Sequence, residues 1–421
     1  MAELKNSRLP QWNPPPRPEW VRRLNEEGSY LDMTSVVPLD EDSLISHAIA
    51  NTGLSDFGAD DWREPFSVLV KGLDTEAELN LMGRILTRTD LLMFLEARLR
   101  VEDAYKQHPE IDEQQIVKPL WVIGQGRSGT TLLHTLLQQP TANITTTDED
   151  GVFPVPLPGM SREEQHKLAH ARITQWSRVR PEVVSIHEFG AHKTCETFRV
   201  ESMAFQAPAW LNLLGLSTSY NMYIYEHKNQ AASLAYAKRV CKLMQWRDPG
   251  KQWVLRSNDS ILYLPVVFEV FPDARVVWSH RDPIRAMASM VDMIGTMMSI
   301  RSDKKMTAAY EQITDPVMTA ATLSGPIDLI ESGRIPGQQL FSVQYADLTR
   351  DSIGTVKKIY DHYGLDFSNE TRNAIVGYVA QNPRTRRPAH RYDFGSAEQI
   401  AAERKIFKRY QDYFNVPNEM D

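Results

Sequence analysis

Between Glu76 and Tyr105 apolar side chains return every three to four positions, at Leu79, Leu81, Met82, Ile85, Leu86, Leu91, Leu92, Phe94 and Leu95, with charged residues between them. That period buries one face of a helix. Pro109 stops it, and residues 41 to 108 as a whole are expected to be helical. The pattern changes after Pro119. Leu120-Trp121-Val122-Ile123 is a short apolar run, then comes a glycine-rich turn, and Thr131 to Leu137 returns to helical spacing. The order is strand, loop, helix. A second unit follows: a strand at Trp253-Val254-Leu255, a helix over Tyr263 to Val270, and a strand over Ala274 to His280. A further helix runs from Pro283 to about Met293, with its proline in the favoured first turn. The last pair is a strand over Leu340 to Tyr345 and a helix over Ser352 to Tyr363, ended by Gly364.

Strands separated by helices predict an α/β fold, with a mostly parallel central sheet flanked by helices. Residues 160 to 250 are richer in helical pattern and aromatic residues, and are expected to form a cap and acceptor region. The chain then divides into a helical N-terminal region, 1–115, and an α/β domain, 116–421. The first opens with an arm carrying Pro10, Pro14, Pro15, Pro16 and Pro18, expected to dock on the body. No internal repeat is visible.

Composition narrows the class. The 421 residues carry 47 Lys+Arg and 54 Asp+Glu, a net charge of −7. A general nucleic-acid binder would need a basic face. A local basic pocket for a small anion is still allowed. The two cysteines, Cys195 and Cys241, form no CxxC pair or Cys/His cluster, so neither a disulfide framework nor a bound metal is expected. No apolar signal core opens the chain and no run of 18 apolar residues occurs, so no spanning helix is expected. The reading is a cytoplasmic protein, with a homodimer as an admissible assembly.

The chemistry starts at Gly124-Gln125-Gly126-Arg127-Ser128-Gly129-Thr130-Thr131. Glycines let a backbone turn its N–H groups inward, and the following helix adds the positive end of its dipole. Such loops hold anions. Gly126, Arg127, Ser128, Gly129, Thr130 and Thr131 are therefore candidate ligand contacts. The loop is close to a Walker motif, GxxxxGK(S/T), but Thr130 stands where the lysine should be and the cation is earlier, at Arg127. A kinase or ATPase needs that lysine on the β/γ-phosphates.

This segment resembles the loop of the sulfotransferase superfamily, which uses 3′-phosphoadenosine 5′-phosphosulfate as donor. The resemblance implies a P-loop-like sulfotransferase fold over about residues 119 to 395, and a loop that binds the 5′-phosphosulfate. It also implies that Arg127 contacts the transferring group. His280-Arg281-Asp282-Pro283 enters a helix, and Arg281 and Ser289 match the family's 3′-phosphate pair. An arginine fork and a hydroxyl can bracket a phosphate. The HRD string also occurs in protein kinases, but the expected Asn is Met287 and no VAIK lysine precedes it. Trp253-Val254-Leu255-Arg256-Ser257 resembles the family's WVLKSP element, with Arg256 in place of the sulfate-facing lysine. Many relatives have a histidine where this chain has Ser260. Tyr345-Ala346-Asp347-Leu348 resembles the late YEDL element, and Asp347 is read as structural. Arg384, Arg386, Arg387, His390, Arg391 and Tyr392 form a basic stretch of the kind that closes over the 3′-phosphate, with Arg391 and Tyr392 as candidate contacts.

The base that takes the acceptor's proton is open at this stage. Asp148-Glu149-Asp150 precedes Phe153-Pro154, and Asp150 fits relatives best, with Glu149 next. A second group is His187, Glu188, His192 and Glu196, with His187 foremost. Met203, Phe205, Trp210, Leu211, Leu213, Leu214, Tyr220, Met222, Tyr223 and Tyr225, together with Met287, Met290, Met293, Met297 and Met298, suggest a pliable apolar pocket. The expected activity is transfer of a sulfuryl group, without metal, to a hydroxyl of a small lipophilic acceptor. Two other readings stand beside it: a P-loop nucleotide kinase or NTPase, and a non-catalytic nucleotide-binding protein on the same fold.

Overall fold

The computed structural model describes residues 12–227, 230–304, 311, 314–383 and 393–420. The long N-terminal helix α1 spans Leu81–Gln107. It starts later than the apolar period suggests. Asn80 caps it by accepting from the Gly83 N–H at 2.8 Å, and Leu79 is drawn into a bridge with Ser302. The stretch before it is not one helix but two, Glu41–Thr52 and Arg63–Thr75, split around Gly53 in the left-handed region. The proline-rich arm lies against the body where it is described. Arg17 pairs with Asp303, and Arg180 donates to the Pro15 carbonyl.

Next come strand β1 (Leu120–Gly124), helix α2 (Thr130–Gln138) and the two-residue strand β2 (Asn143–Ile144). A helical stretch ends in α3 (Gln230–Arg247). Strands β3 (Gln252–Arg256) and β4 (Arg275–His280) lead to helix α4 (Pro283–Met298), which extends past Met293. Strand β5 (Leu340–Gln344) ends one residue early, because Tyr345 opens a short helix. Helix α5 (Ser352–Tyr363) ends at Gly364 with φ 63°, as expected. Helix α6 (Ala397–Phe414) lies near the end of the chain.

All the strand pairs are parallel, in the order β2-β3-β1-β4-β5. Side chains alternate across each strand, so the sheet feeds two cores. Leu120, Val122, Val254 and Val277 face α2 and α5 through Leu133, Leu136, Val356 and Ile359. Trp121, Ile123, Trp253, Leu255 and Trp278 face the larger core, which continues into α1. Fully burying one such side chain is worth about 1.5–3 kcal/mol. Most of the aromatic and methionine stripe is in this core. Met203, Phe205, Leu211, Leu214 and Tyr220 are completely buried, so packing, not a pocket, accounts for them. Among the described residues no helix is long and apolar enough to cross a membrane.

Several buried titratable groups set a pH window for stability. His134 lies within 2.6 Å of the Thr145 hydroxyl, and His280 within 2.9 Å of Tyr410 and 3.1 Å of Ser342. Burial pushes both imidazoles down to about 3, with the charge of Arg256 adding to the effect at His134. An unfolded chain binds protons at both below about pH 6.5. Their contribution is therefore complete above that pH and is lost as pH falls toward 3, at about 1.4 kcal/mol per unit each. Glu201 behaves oppositely. Burial raises it to about 7, so its contribution is complete below 4.5 and is lost as pH rises through 7. Asp259 follows the same direction, raised to about 8 by desolvation and by Glu196 and Glu201. Stability is expected to be nearly flat from roughly pH 4.5 to 6.5 and to fall on both sides. Denaturant titrations from pH 4 to 8.5 check this. Glu201→Gln should replace the plateau by a rise of up to about 3 kcal/mol between pH 4.5 and 6.5; a pH curve parallel to wild type would remove Glu201 from the account.

Candidate active site

β1 is the central strand, and its neighbours β3 and β4 lie on opposite sides. The crevice at the carboxyl ends of these strands is where open α/β sheets bind ligands. Three sequence candidates leave the sheet there. The loop Gly124–Gly129 follows β1, Arg256 ends β3, and Arg281 follows β4.

The loop is shaped by close approach. Gly129 has φ 92°, and a Cβ there would lie 2.7 Å from the Tyr345 ring. At Gly126 a Cβ would meet the Met290 sulfur at 2.4 Å. Arg127 adopts φ 72°, an uncommon conformation for a residue with a side chain, which costs on the order of 1 kcal/mol. The arginine is held there by what it reaches. Its Nε donates to the Ser289 hydroxyl at 2.8 Å, and its guanidinium also donates to the Ile186 carbonyl at 3.0 Å. The Ser279 hydroxyl donates to the Ser128 carbonyl at 2.7 Å, tying the loop to β4. The first N–H groups of α2 have no acceptors within the helix and point out of its N-terminus.

Arg256 is 1% exposed and donates to the Thr131 hydroxyl. Glu196 lies 3.4 Å from its guanidinium and is itself held by the Asn258 N–H at 3.0 Å. Arg281 donates to the Arg127 carbonyl at 2.9 Å and stacks 4.0 Å from the Tyr345 ring. Two sets of contacts therefore meet in this site: Arg127 with Ser289 and Arg281, and Thr131 with Arg256. Two buried polar atoms in it, Ser128 Oγ and Arg256 Nε, have no hydrogen-bond partner. A hydroxyl and a guanidinium N–H left this way suit an oxyanion.

The base candidates separate. Asp150 accepts from the Thr147 N–H at 2.8 Å and from the Thr147 hydroxyl at 2.6 Å, so its carboxylate closes a turn, and burial raises its pKa. Glu149 lies 2.7 Å from the His166 ring. His187 directly follows Ile186, the residue whose carbonyl receives Arg127, and its ring packs 4.6 Å from Phe189. Glu188 pairs with Lys193, while Glu196 supports Arg256. Ser260, at the usual histidine position, accepts from the buried Trp121 indole at 3.1 Å. Asp347 pairs with Arg350 on the surface. Arg391 and Tyr392 lie outside the described residues, but Phe394 just beyond them packs 4.8 Å from Arg285. Among the described residues no group of His, Cys, Asp and Glu is arranged to hold a metal.

The sequence reading missed the second ring of charge. Glu419, near the chain end, grips Arg281 through both oxygens, at 2.8 and 2.9 Å. Asp282 accepts both arms of Arg404, at 2.6 and 2.7 Å. No local sequence signal joins positions so far apart.

Fold and site together define a P-loop-like α/β protein whose glycine-rich loop carries Thr130 in place of the Walker lysine. The sequence profile of the Sulfotransferase family matches residues 119–369, and the chain belongs to that family. Two curated relatives, from Mycobacterium bovis and Mycobacterium tuberculosis, each bear the name omega-hydroxy-beta-dihydromenaquinone-9 sulfotransferase Stf3. Each is 23% identical over 264 residues, covering 59% of this chain and 63% of the relative, so the chain matches under two thirds of their length. Sulfotransferase STF1 of Mycobacterium tuberculosis aligns in structure with a TM-score of 0.73 at 27% identity, covering 87% of this chain and 98% of that one. Sulfotransferase STF9 of Mycobacterium avium gives 0.71 at 23%, covering 90% and 98%, and shares the fold.

Proposed function

We propose that the protein transfers a sulfuryl group from 3′-phosphoadenosine 5′-phosphosulfate to a hydroxyl of a small, lipophilic acceptor. The observation that carries this reading is the lysine-free loop at the sheet crevice, with Ser128 Oγ buried and unpartnered and with Arg127 and Arg256 on either side. The loop and the start of α2 would hold the 5′-phosphosulfate. Arg281 and Ser289 would hold the 3′-phosphate.

Transfer forms an S–O bond to the acceptor and breaks the S–O bond to the phosphate, leaving adenosine 3′,5′-bisphosphate. Arg256 would neutralise charge on the departing oxygen, and Arg127 would steady the sulfuryl oxygens in flight. The acceptor gives up a proton. His187 is assigned that role because its neighbour Ile186 is bonded to Arg127, whereas Asp150 is engaged by Thr147. The lipophilic acceptor is supported by half-buried Met290 against Gly126, and by relatives named for a hydroxylated dihydromenaquinone.

Thermal shift with adenosine 3′,5′-bisphosphate against ATP and magnesium tests the reading. The bisphosphate should stabilise the protein, and Arg281→Ala should remove most of that gain. Stabilisation by magnesium ATP alone would point to a nucleotide kinase instead.

A further inference from the structure

The predicted 3′-phosphate arginine has both N–H groups of one edge engaged by a carboxylate of this same chain. Arg281 Nε and Nη2 donate to Glu419 Oε1 and Oε2 at 2.8 and 2.9 Å, the parallel two-bond geometry by which arginine also takes a phosphate. A second cation stands behind it, with Arg285 Nε 3.8 Å from Glu419 Oε2. The segment carrying Glu419 is pinned as well as placed. The Glu419 N–H donates to Asp282 at 2.8 Å, and Arg404, which clamps Asp282, also donates to the Met420 carbonyl at 2.9 Å. Gln411 of α6 reaches the Asn418 side chain at 2.9 Å, and the Val416 N–H returns to the Gln411 carbonyl at 2.9 Å.

We propose that segment Val416–Met420 is a self-competitor, whose Glu419 carboxylate fills the 3′-phosphate subsite and must leave before the donor nucleotide can seat. The proposal rests on the donor-site reading above and adds its regulation. A carboxylate and a phosphate dianion cannot share one guanidinium edge, because like charges at contact distance repel. Glu419 is not needed to aim the arginine. Arg281 keeps its bond to the Arg127 carbonyl at 2.9 Å and its stacking 4.0 Å from Tyr345, and neither involves the segment. When the segment departs, these two contacts keep the fork aimed. The Glu419 side chain is 27% exposed, so the closed state is held by partly hydrated bonds that a better anion can replace.

Competition of this kind lowers the apparent affinity by the fraction of molecules that are open. Removing the carboxylate should therefore tighten binding of adenosine 3′,5′-bisphosphate by up to about fivefold, the range set by a partly exposed charged pair. Calorimetric titrations on the full chain test this, with the bisphosphate and with adenosine 5′-monophosphate, which lacks the 3′ group. Glu419→Gln and Glu419→Ala should both tighten the bisphosphate and leave the monophosphate unchanged. Hydrogen exchange should show residues 416–420 losing protection in the wild type when the bisphosphate is added. Unchanged or weaker bisphosphate binding in both variants overturns the self-competitor while leaving the donor site standing, provided Arg281→Ala still weakens it. Failure of the wild type and every variant to bind the bisphosphate overturns the donor-site reading and the competitor together.

Discussion

Replacing Arg256 by methionine is expected to lower sulfuryl transfer about a thousandfold and to cost about 3 kcal/mol of stability. The two effects have separate origins. The rate falls because a buried cation beside the phosphate loop is lost, and single preorganised charge-stabilising groups are worth about 10²–10³ in rate. Water cannot substitute, since Arg256 is 1% exposed. The stability falls because Glu196, 9% exposed, loses the guanidinium 3.4 Å away and is left as a buried charge. A second change separates them. Arg256→Met with Glu196→Gln should regain most of the stability, because the amide can still take the Asn258 N–H. It should regain none of the rate. Single-turnover kinetics and urea unfolding on wild type, Arg256→Met, Glu196→Gln and the double variant measure both. If the double variant recovers transfer, Arg256 is a structural ion-pair partner and has no catalytic part.

The next largest loss is expected at Arg127, where Arg127→Ala should reduce kcat about a hundredfold or more. Its side chain reaches Ser289 from the α4 side and the Ile186 carbonyl next to His187, so it joins the loop to the proposed base. Its backbone gives an internal control. With φ 72°, Arg127→Gly should be more stable than Arg127→Ala by about 1 kcal/mol, because only glycine is unstrained there. Both variants lack the cation and should be equally slow. Slow transfer in the alanine variant with near-normal rate in the glycine variant would mean that loop shape, not charge, sets the rate. Stopped-flow chemistry with matched denaturation curves separates the two.

The strands were legible because each combines apolar residues with turn signals on both sides. Leu120 to Ile123 and Ala274 to His280 match β1 and β4 within a residue. β2 was not legible, since two residues carry no periodicity. Helix α6 was hard to read although Phe407, Tyr410 and Phe414 repeat at helical spacing, because charged residues between them dilute the apolar period. The placement of the glycine-rich loop after β1, of Arg256 at the end of β3 and of Arg281 after β4 was readable because each belongs to a local strand-loop-helix frame. The fates of individual carboxylates were not. Position near Pro154 favoured Asp150, but only folding reveals that its Oδ2 takes both the N–H and the hydroxyl of Thr147. The grip of Glu419 on Arg281 depends on α6 bringing the chain end back across the sheet, and no spacing rule encodes that.

The placement of β1 at the centre of the sheet also governs the order in which the molecule can be built. Its register partners are Val254 to Arg256 on one side and Arg275 to Ser279 on the other, all far downstream of Leu120. The phosphate loop therefore leaves the ribosome long before either strand that will flank it. Non-local pairings of this kind close slowly, and until they do the apolar run Leu120 to Ile123 has no sheet to enter. The crevice at the carboxyl ends of β1, β3 and β4 therefore cannot take shape until the chain has been made as far as His280.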